Sequence, residues 1–217
     1  MRAILALLLL ATPLSAGPWP RERGAVYWLF QHEPGHDWSS LYAEWGGPFG
    51  LTFGLDAGGH AVALARDEPG AVAARVFVRT PLGPRDGPWR FAMENGVGVD
   101  ALATPWGTAK VAYTTLGVAV GRGLRWRERD GWLSVDLKAD LAMDRSLRYR
   151  GGAKLGWKPT RRDTVELSVD GTSTAGEARW TAGPTYERRI GPLGLRGSLR
   201  RTERGDTIWR LGVTGTF

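Results

Sequence analysis

Residues 31–38 read QHEPGHDW and place His32, Glu33 and His36 in the spacing H-E-x-x-H. On a helix that spacing sets two imidazoles on one face as zinc ligands and leaves the glutamate to activate a metal-bound water for peptide hydrolysis. The two intervening residues are Pro34 and Gly35. Proline inside a helix removes a backbone donor and clashes with the preceding turn, and glycine adds a cost in backbone entropy. The same pair is a turn signal. Residues 32–37 therefore read as a hairpin loop with solvated histidines, and no metal site or cofactor is expected. An adventitious trio of His32, His36 and His60 is the nearest approach to a metal site.

The elements that must position this loop begin with an export signal. Arg2 gives a positive start, residues 3–11 an apolar run, and Leu14, Ser15 and Ala16 a small-residue cleavage site. The run is too short for a membrane-spanning helix, which needs about 20 residues. Residues 1–16 are expected to be a cleaved signal peptide and residues 17–217 a single domain. The chain has no cysteine, so an exported fold must be held by packing or by a membrane rather than by disulfides. With no second apolar run of helical length, the membrane option is a β-barrel. The 31 glycines and 11 tryptophans fit it, because barrel strands average to a bland hydropathy and tryptophan favours the two interfaces.

Period-two alternation then recurs along the chain. In residues 132–144 Leu133, Val135, Leu137, Ala139, Leu141 and Met143 alternate with Asp136, Lys138 and Asp140. Residues 147–158 set Leu147, Tyr149, Ala153, Leu155 and Trp157 against Arg148, Arg150 and Lys154. Residues 163–171 set Val165, Leu167 and Val169 against Glu166, Ser168 and Asp170. Residues 178–187 and 193–202 repeat the pattern with Arg179, Glu187, Arg196 and Arg200 on the polar side, although Pro184 weakens its ladder. In the N-terminal half, Arg75, Arg79, Arg90, Glu94, Asp100, Asp56 and Glu44 share the polar side. Residues 111–121 change phase near Thr114 and Thr115, which suggests a bulge. These segments predict an all-β, antiparallel, up-and-down transmembrane barrel of about 12 strands, within roughly 10 to 14.

The last strand is the clearest. Residues 207–217, TIWRLGVTGTF, carry Trp209, Leu211, Val213 and Phe217 on one face and Arg210 on the other, and stop on the aromatic. This ending resembles the C-terminal strand of Gram-negative outer-membrane β-barrels. The resemblance implies that Trp209, Leu211, Val213 and Phe217 are the assembly signal read by the barrel-assembly machinery, and that the chain resides in the cell outer membrane.

Two function classes follow. A charge on the lipid side costs several kcal/mol near the midplane, so about 2–4 kcal/mol each favours confinement to a wet or internally paired lumen. The expected lumen-lining set is Arg75, Arg79, Arg90, Lys138, Arg148, Arg150, Lys154, Arg179, Arg196, Arg200, Arg210, Asp136, Asp140, Glu166 and Asp170. The reading is a small passive, porin-like channel or a structural barrel, slightly anion-selective if Arg179, Arg196, Arg200 and Arg210 form a basic wall. The other class is an outer-membrane lipase, deacylase or protease. Barrel lipases and deacylases place His and Ser two residues apart on one strand; no such pair occurs here, and Ser39 and Ser40 lie across the turn from His32. No catalytic residue is therefore assigned. The net charge of +7 suits contact with outer-membrane lipid and lipopolysaccharide phosphates through arginines such as Arg66 and Arg204. It is spread along strands without a recognition motif, so no nucleic-acid partner is expected.

Replacing Phe217 by Asp is expected to lower the amount of folded barrel recovered in outer membranes. Heat-modifiable migration on gels checks this, and an unchanged yield overturns the terminal signal.

Overall fold

The structure is a computed structural model that describes residues 17–60, 70–83, 87–104 and 107–217. The segment read as a signal peptide lies outside the described residues. Among them are twelve strands: β1 (Val26–Glu33), β2 (Trp38–Gly46), β3 (Thr52–His60), β4 (Gly70–Leu82), β5 (Trp89–Thr104), β6 (Gly107–Trp126), β7 (Arg129–Ala142), β8 (Leu147–Trp157), β9 (Asp163–Thr174), β10 (Glu177–Ile190), β11 (Leu193–Thr202) and β12 (Thr207–Thr216). Each pairs antiparallel with its sequence neighbours, and β1 pairs with β12 to close the barrel. The expected all-β, twelve-strand, up-and-down architecture is what forms.

Closure follows from the missing alternative. In hydrocarbon every backbone N–H and C=O must find a partner within the protein, which open sheet edges do not provide. Six residue pairs from Tyr27–Thr216 to His32–Leu211 make the seam. Phe217 extends it, donating its N–H to Val26 O (3.1 Å) and accepting from Val26 N (2.7 Å). In the same strand Trp209 and Leu211 stand exposed on the outer face, and Val213 pairs with Phe30 and Leu195.

The alternation resolves into an outer and an inner face. Leu116, Val118, Leu137, Leu167, Leu195 and Leu211 are each more than half exposed around the circumference. A belt of that extent is not tolerated in water and suits acyl chains. Aromatics collect at its margins. Trp45, Trp89, Trp126 and Trp157 ring the end that holds the chain termini, while Tyr149, Trp180 and Trp209 ring the other. Trp126 and Trp157 pack at 6.2 Å, and the Arg122 guanidinium covers the Trp89 ring at 5.4 Å.

On the inner face, large rings sit over glycines of the next strand. Phe77 packs over Gly54, Tyr113 over Gly98 and Trp132 over Gly156, and a Cβ at any of these glycines would collide with the ring. Part of the high glycine content is thus the space that inward aromatics need.

Two local expectations are corrected and one holds. No helix and no loop hold His32 and Glu33: they are the last residues of β1, and the turn is confined to residues 34–37, where Asp37 has φ 50 and His36 N bonds Glu33 O at 3.1 Å. No bulge occurs at Thr114 and Thr115, because β6 pairs without interruption with β5 and β7. Tyr113 and Thr115 both face inward and are buried, so an inward aromatic had disguised a regular phase. The ladder does break at Pro184. β10 and β11 pair at Ala182–Arg201 and resume at Thr185–Ser198, as expected where proline lacks a donor.

Leu137→Arg, on the outer face of β7, is expected to lower folding stability in lipid vesicles by about 2–4 kcal/mol, whereas Trp126→Arg, at the interface, costs about 1 kcal/mol or less. Urea titration of both refolded variants checks the depth dependence, and equal effects overturn the assigned membrane position.

Candidate functional site: the charged lumen

The inner face carries the charges in clusters fixed by strand register. Glu94 on β5 is the centre of the largest. It accepts from Arg75 (2.6 Å), Arg79 (2.9 Å) and Lys138 (2.8 Å). Arg79 also bonds Glu44 on β2 at 2.6 Å, and Arg75 reaches Asp56 on β3 at 3.5 Å. The Tyr42 hydroxyl donates to Glu44. These side chains surround Phe77, whose ring lies 4.8 Å from the Arg75 guanidinium, 5.3 Å from Arg79 and 5.9 Å from Lys138. Glu44, Arg75, Arg79 and Glu94 are all buried. Buried charges persist only when paired and hydrogen-bonded, and here five strands contribute to one connected set.

A second cluster forms on β5 to β8. Asp140 accepts from Arg148 Nε (2.9 Å), Arg150 Nη2 (2.8 Å) and the Thr115 hydroxyl (2.7 Å). Arg148 turns its other end to Asp100 at 2.7 Å and lies 4.8 Å from the Tyr113 ring. Across the lumen, Arg196 bonds Glu166 (2.9 Å) and Glu187 (3.5 Å). Arg200 bonds Asp170 and the Ser168 hydroxyl, and reaches Thr181 at 3.0 Å. Arg210 bonds Glu33 at 2.6 Å.

Between these clusters lies a cavity of about 350 Å³ bordered by residues of both walls. Asp136 and Lys154 border it and enter no ion pair among the described residues. Two expected lining residues sit elsewhere. Arg90 turns to the carbonyl oxygens of Gly87 and Trp89 at the mouth beside the chain termini. Arg179 is exposed at the opposite rim, 3.8 Å from Glu177. The envisaged basic wall is thus not a free cationic surface, because Arg196, Arg200 and Arg210 each carry a carboxylate partner.

Sequence reasoning assigned no role to Phe77, Tyr113, Trp132 or Thr115, all inward and buried. Strict parity within β4 and β6 was the signal available for the first two and for Thr115. It also judged histidine and serine too far apart, but hairpin register sets His32 opposite Ser39. His32 Nδ1 lies 3.0 Å from Ser39 Oγ. The pair is on the outer face, beside a shallow groove that Phe30, Leu41, Gly59 and Val72 help to line. Glu33 is turned to the other face by Arg210, and among the described residues nothing bonds the second imidazole nitrogen. His60 is engaged elsewhere: Nδ1 accepts from Ala71 N at 3.0 Å and the ring packs edge-on to Trp38. Among the described residues no group of His, Asp and Glu is arranged to hold a metal ion.

Neither a protein-family model nor a curated protein matches the chain. Solved structures of outer-membrane β-barrels do match. The NanC porin aligns with a TM-score of 0.54 at 9% identity, over 88% of this chain and 98% of its own. The KdgM porin aligns at 0.52 and 11%, over 89% and 99%, and LpxR from Salmonella typhimurium at 0.51 and 8%, over 89% and 99%. At such identities the likeness is one of fold.

Glu94→Gln leaves Arg75, Arg79 and Lys138 without their common partner and is expected to cost about 3–5 kcal/mol of stability. Arg179→Ala, at the exposed rim, should change it by about 0.5 kcal/mol or less. Urea unfolding of the two variants tests the ranking.

Proposed function

We propose that this chain is an integral outer-membrane barrel acting as a narrow passive channel of porin type, its lumen restricted by paired arginines and carboxylates. The observation that carries this reading is a polar cavity between charged walls, inside a closed barrel whose outside is a continuous apolar belt. The fold shared with the NanC and KdgM porins supports it, and the terminal strand supports delivery by the barrel-assembly machinery. A twelve-strand barrel lies between those of about 8 strands, which side chains fill, and those of about 16, which stay open. Selectivity between small cations and anions is weak, since almost every lumen cation faces a carboxylate. Lipopolysaccharide phosphates are the suited partner of the exposed Arg204; Arg66 lies outside the described residues.

The His32–Ser39 contact favours a second reading, hydrolysis of an acyl ester at the outer leaflet, with Ser39 as nucleophile and His32 as base. A fluorophosphonate probe should then label wild type and fail on Ser39→Ala.

For the channel, refolded protein in planar bilayers is expected to give small, ohmic current steps with a reversal potential near zero in a KCl gradient. Asp170→Asn, which frees Arg200, should shift that potential toward chloride. Absence of current at every voltage, in the wild type and with residues 17–22 removed, overturns the channel reading.

A further inference from the structure

Residues 17–22, sequence GPWPRE, precede β1; Gly17 to Arg21 enter the barrel mouth and Glu22 is exposed. Pro18 is among the most completely buried side chains of the molecule. Its Cγ and the Trp19 ring occupy the space over Gly121 of β6, where an added Cβ would come within 2.6 Å of each. Gly17 lies against Ser134 of β7 and borders the central cavity. Arg21 forms an ion pair through Nε with Glu44, donates its backbone N–H to Thr52 Oγ1 at 3.0 Å, and lies 4.6 Å from the Tyr27 ring. The chain leaves the lumen through a reversal at Gly24, with φ 82, where Gly24 N bonds Gly46 O at 2.8 Å and β1 begins.

Composition explains how a non-strand segment can lie across a polar lumen. Pro18 and Pro20 have no N–H to satisfy and a fixed φ, and the backbone bends at residues 17–19. The segment therefore needs few backbone partners and spends little entropy on being held. Its attachments among the described residues include an ion pair, a hydrogen bond and ring packing rather than a ladder. Glu44 also bonds Arg79 at 2.6 Å, so loss of Arg21 leaves it a partner in the wall.

We propose that residues 17–22 are a plug that closes the lumen at the mouth beside the chain termini, with the Arg21–Glu44 pair as its latch and Gly121 as the seat of Pro18 and Trp19. A conducting path would then require the plug to shift, and the central cavity in the plugged state communicates with the opposite mouth. The inference concerns the lumen of the channel reading but does not need ions to cross.

The absence of cysteine makes a sensitive test available. Ser134 is buried on the inner face beside the plug, and Ser134→Cys in the full chain is the sole thiol. A small, water-soluble maleimide should label it slowly in the folded barrel. Adding Arg21→Ala should raise the rate roughly ten-fold or more, because protection then depends on a weaker local closure. Adding Gly121→Val instead should do the same, since a Cβ there cannot coexist with Pro18 and Trp19 while valine suits a strand. Heat-modifiable migration shows that each barrel is folded. Rapid labelling of Ser134→Cys alone, or equal rates in all three proteins, overturns the plug. Conductance of the same proteins separates the two readings: a thiol that becomes reactive in a barrel that still carries no current keeps the plug and sinks the channel.

Discussion

Tyr27–Thr216 through His32–Leu211 are the pairs on which the molecule turns, because they join the first strand to the last. A sheet of twelve strands left open would present two rows of unpaired amides and carbonyls to a medium that offers none in return. Once β1 and β12 meet, neither edge of the sheet is left open. The side chains are then free to divide between two media. This is why a chain with mean hydropathy of −0.25 can carry a continuous apolar exterior: its polar half is sequestered inside, one residue in two.

Closure also sets the electrostatic problem of the interior. Inward positions of neighbouring strands are brought within side-chain reach, so a charge at one position is felt by several others at low effective dielectric. The solution seen here is sharing. Glu94 serves three cations, Asp140 two, and Glu44 joins β2 to β4. Such carboxylates tie together strands that the backbone ladder does not pair, as Glu44 on β2 and Arg79 on β4 show. The same pairing offsets most of the net field that an arginine-rich lumen would otherwise carry, so the brace and the near-balanced interior have one origin.

How much of this was legible follows from the range over which each feature is determined. Alternation is local, so the faces of Leu137, Lys138, Arg148 and Leu167, the number of strands and the fold class could be read directly. The exceptions occur where an aromatic faces inward. Tyr113 looked like a change of phase because apolarity was equated with lipid contact, whereas its ring is accommodated by Gly98 across the ladder. Register is not local in the same sense. His32 and Ser39 are seven residues apart and meet only because the turn occupies residues 34–37 and sets the pairing. The role of residues 17–22 was illegible for a further reason: a proline-rich segment has no period, and its place is decided by room left at Gly121, more than ninety residues away.

The two ends of the barrel are consequently unlike. At the end of the termini, Pro18, Trp19 and Arg21 fill the bore beneath the central cavity, and Arg90 turns to backbone oxygens at the mouth. Toward the other end the wall is lined by Arg148, Arg150, Asp100 and Tyr113 around a further recess that shares Arg75 and Arg150 with the central cavity. On the proposed channel reading, a solute entering from that side would meet paired charges that it can exchange for its own hydrogen bonds, then a floor of prolines and tryptophan that offers few. Resistance would then be concentrated at the floor rather than distributed along the wall, and the residues with most influence on passage would be the ones with least part in holding the strands together. Under the same proposal, a shift of that floor would alter the bore without disturbing the ladder that closes the barrel.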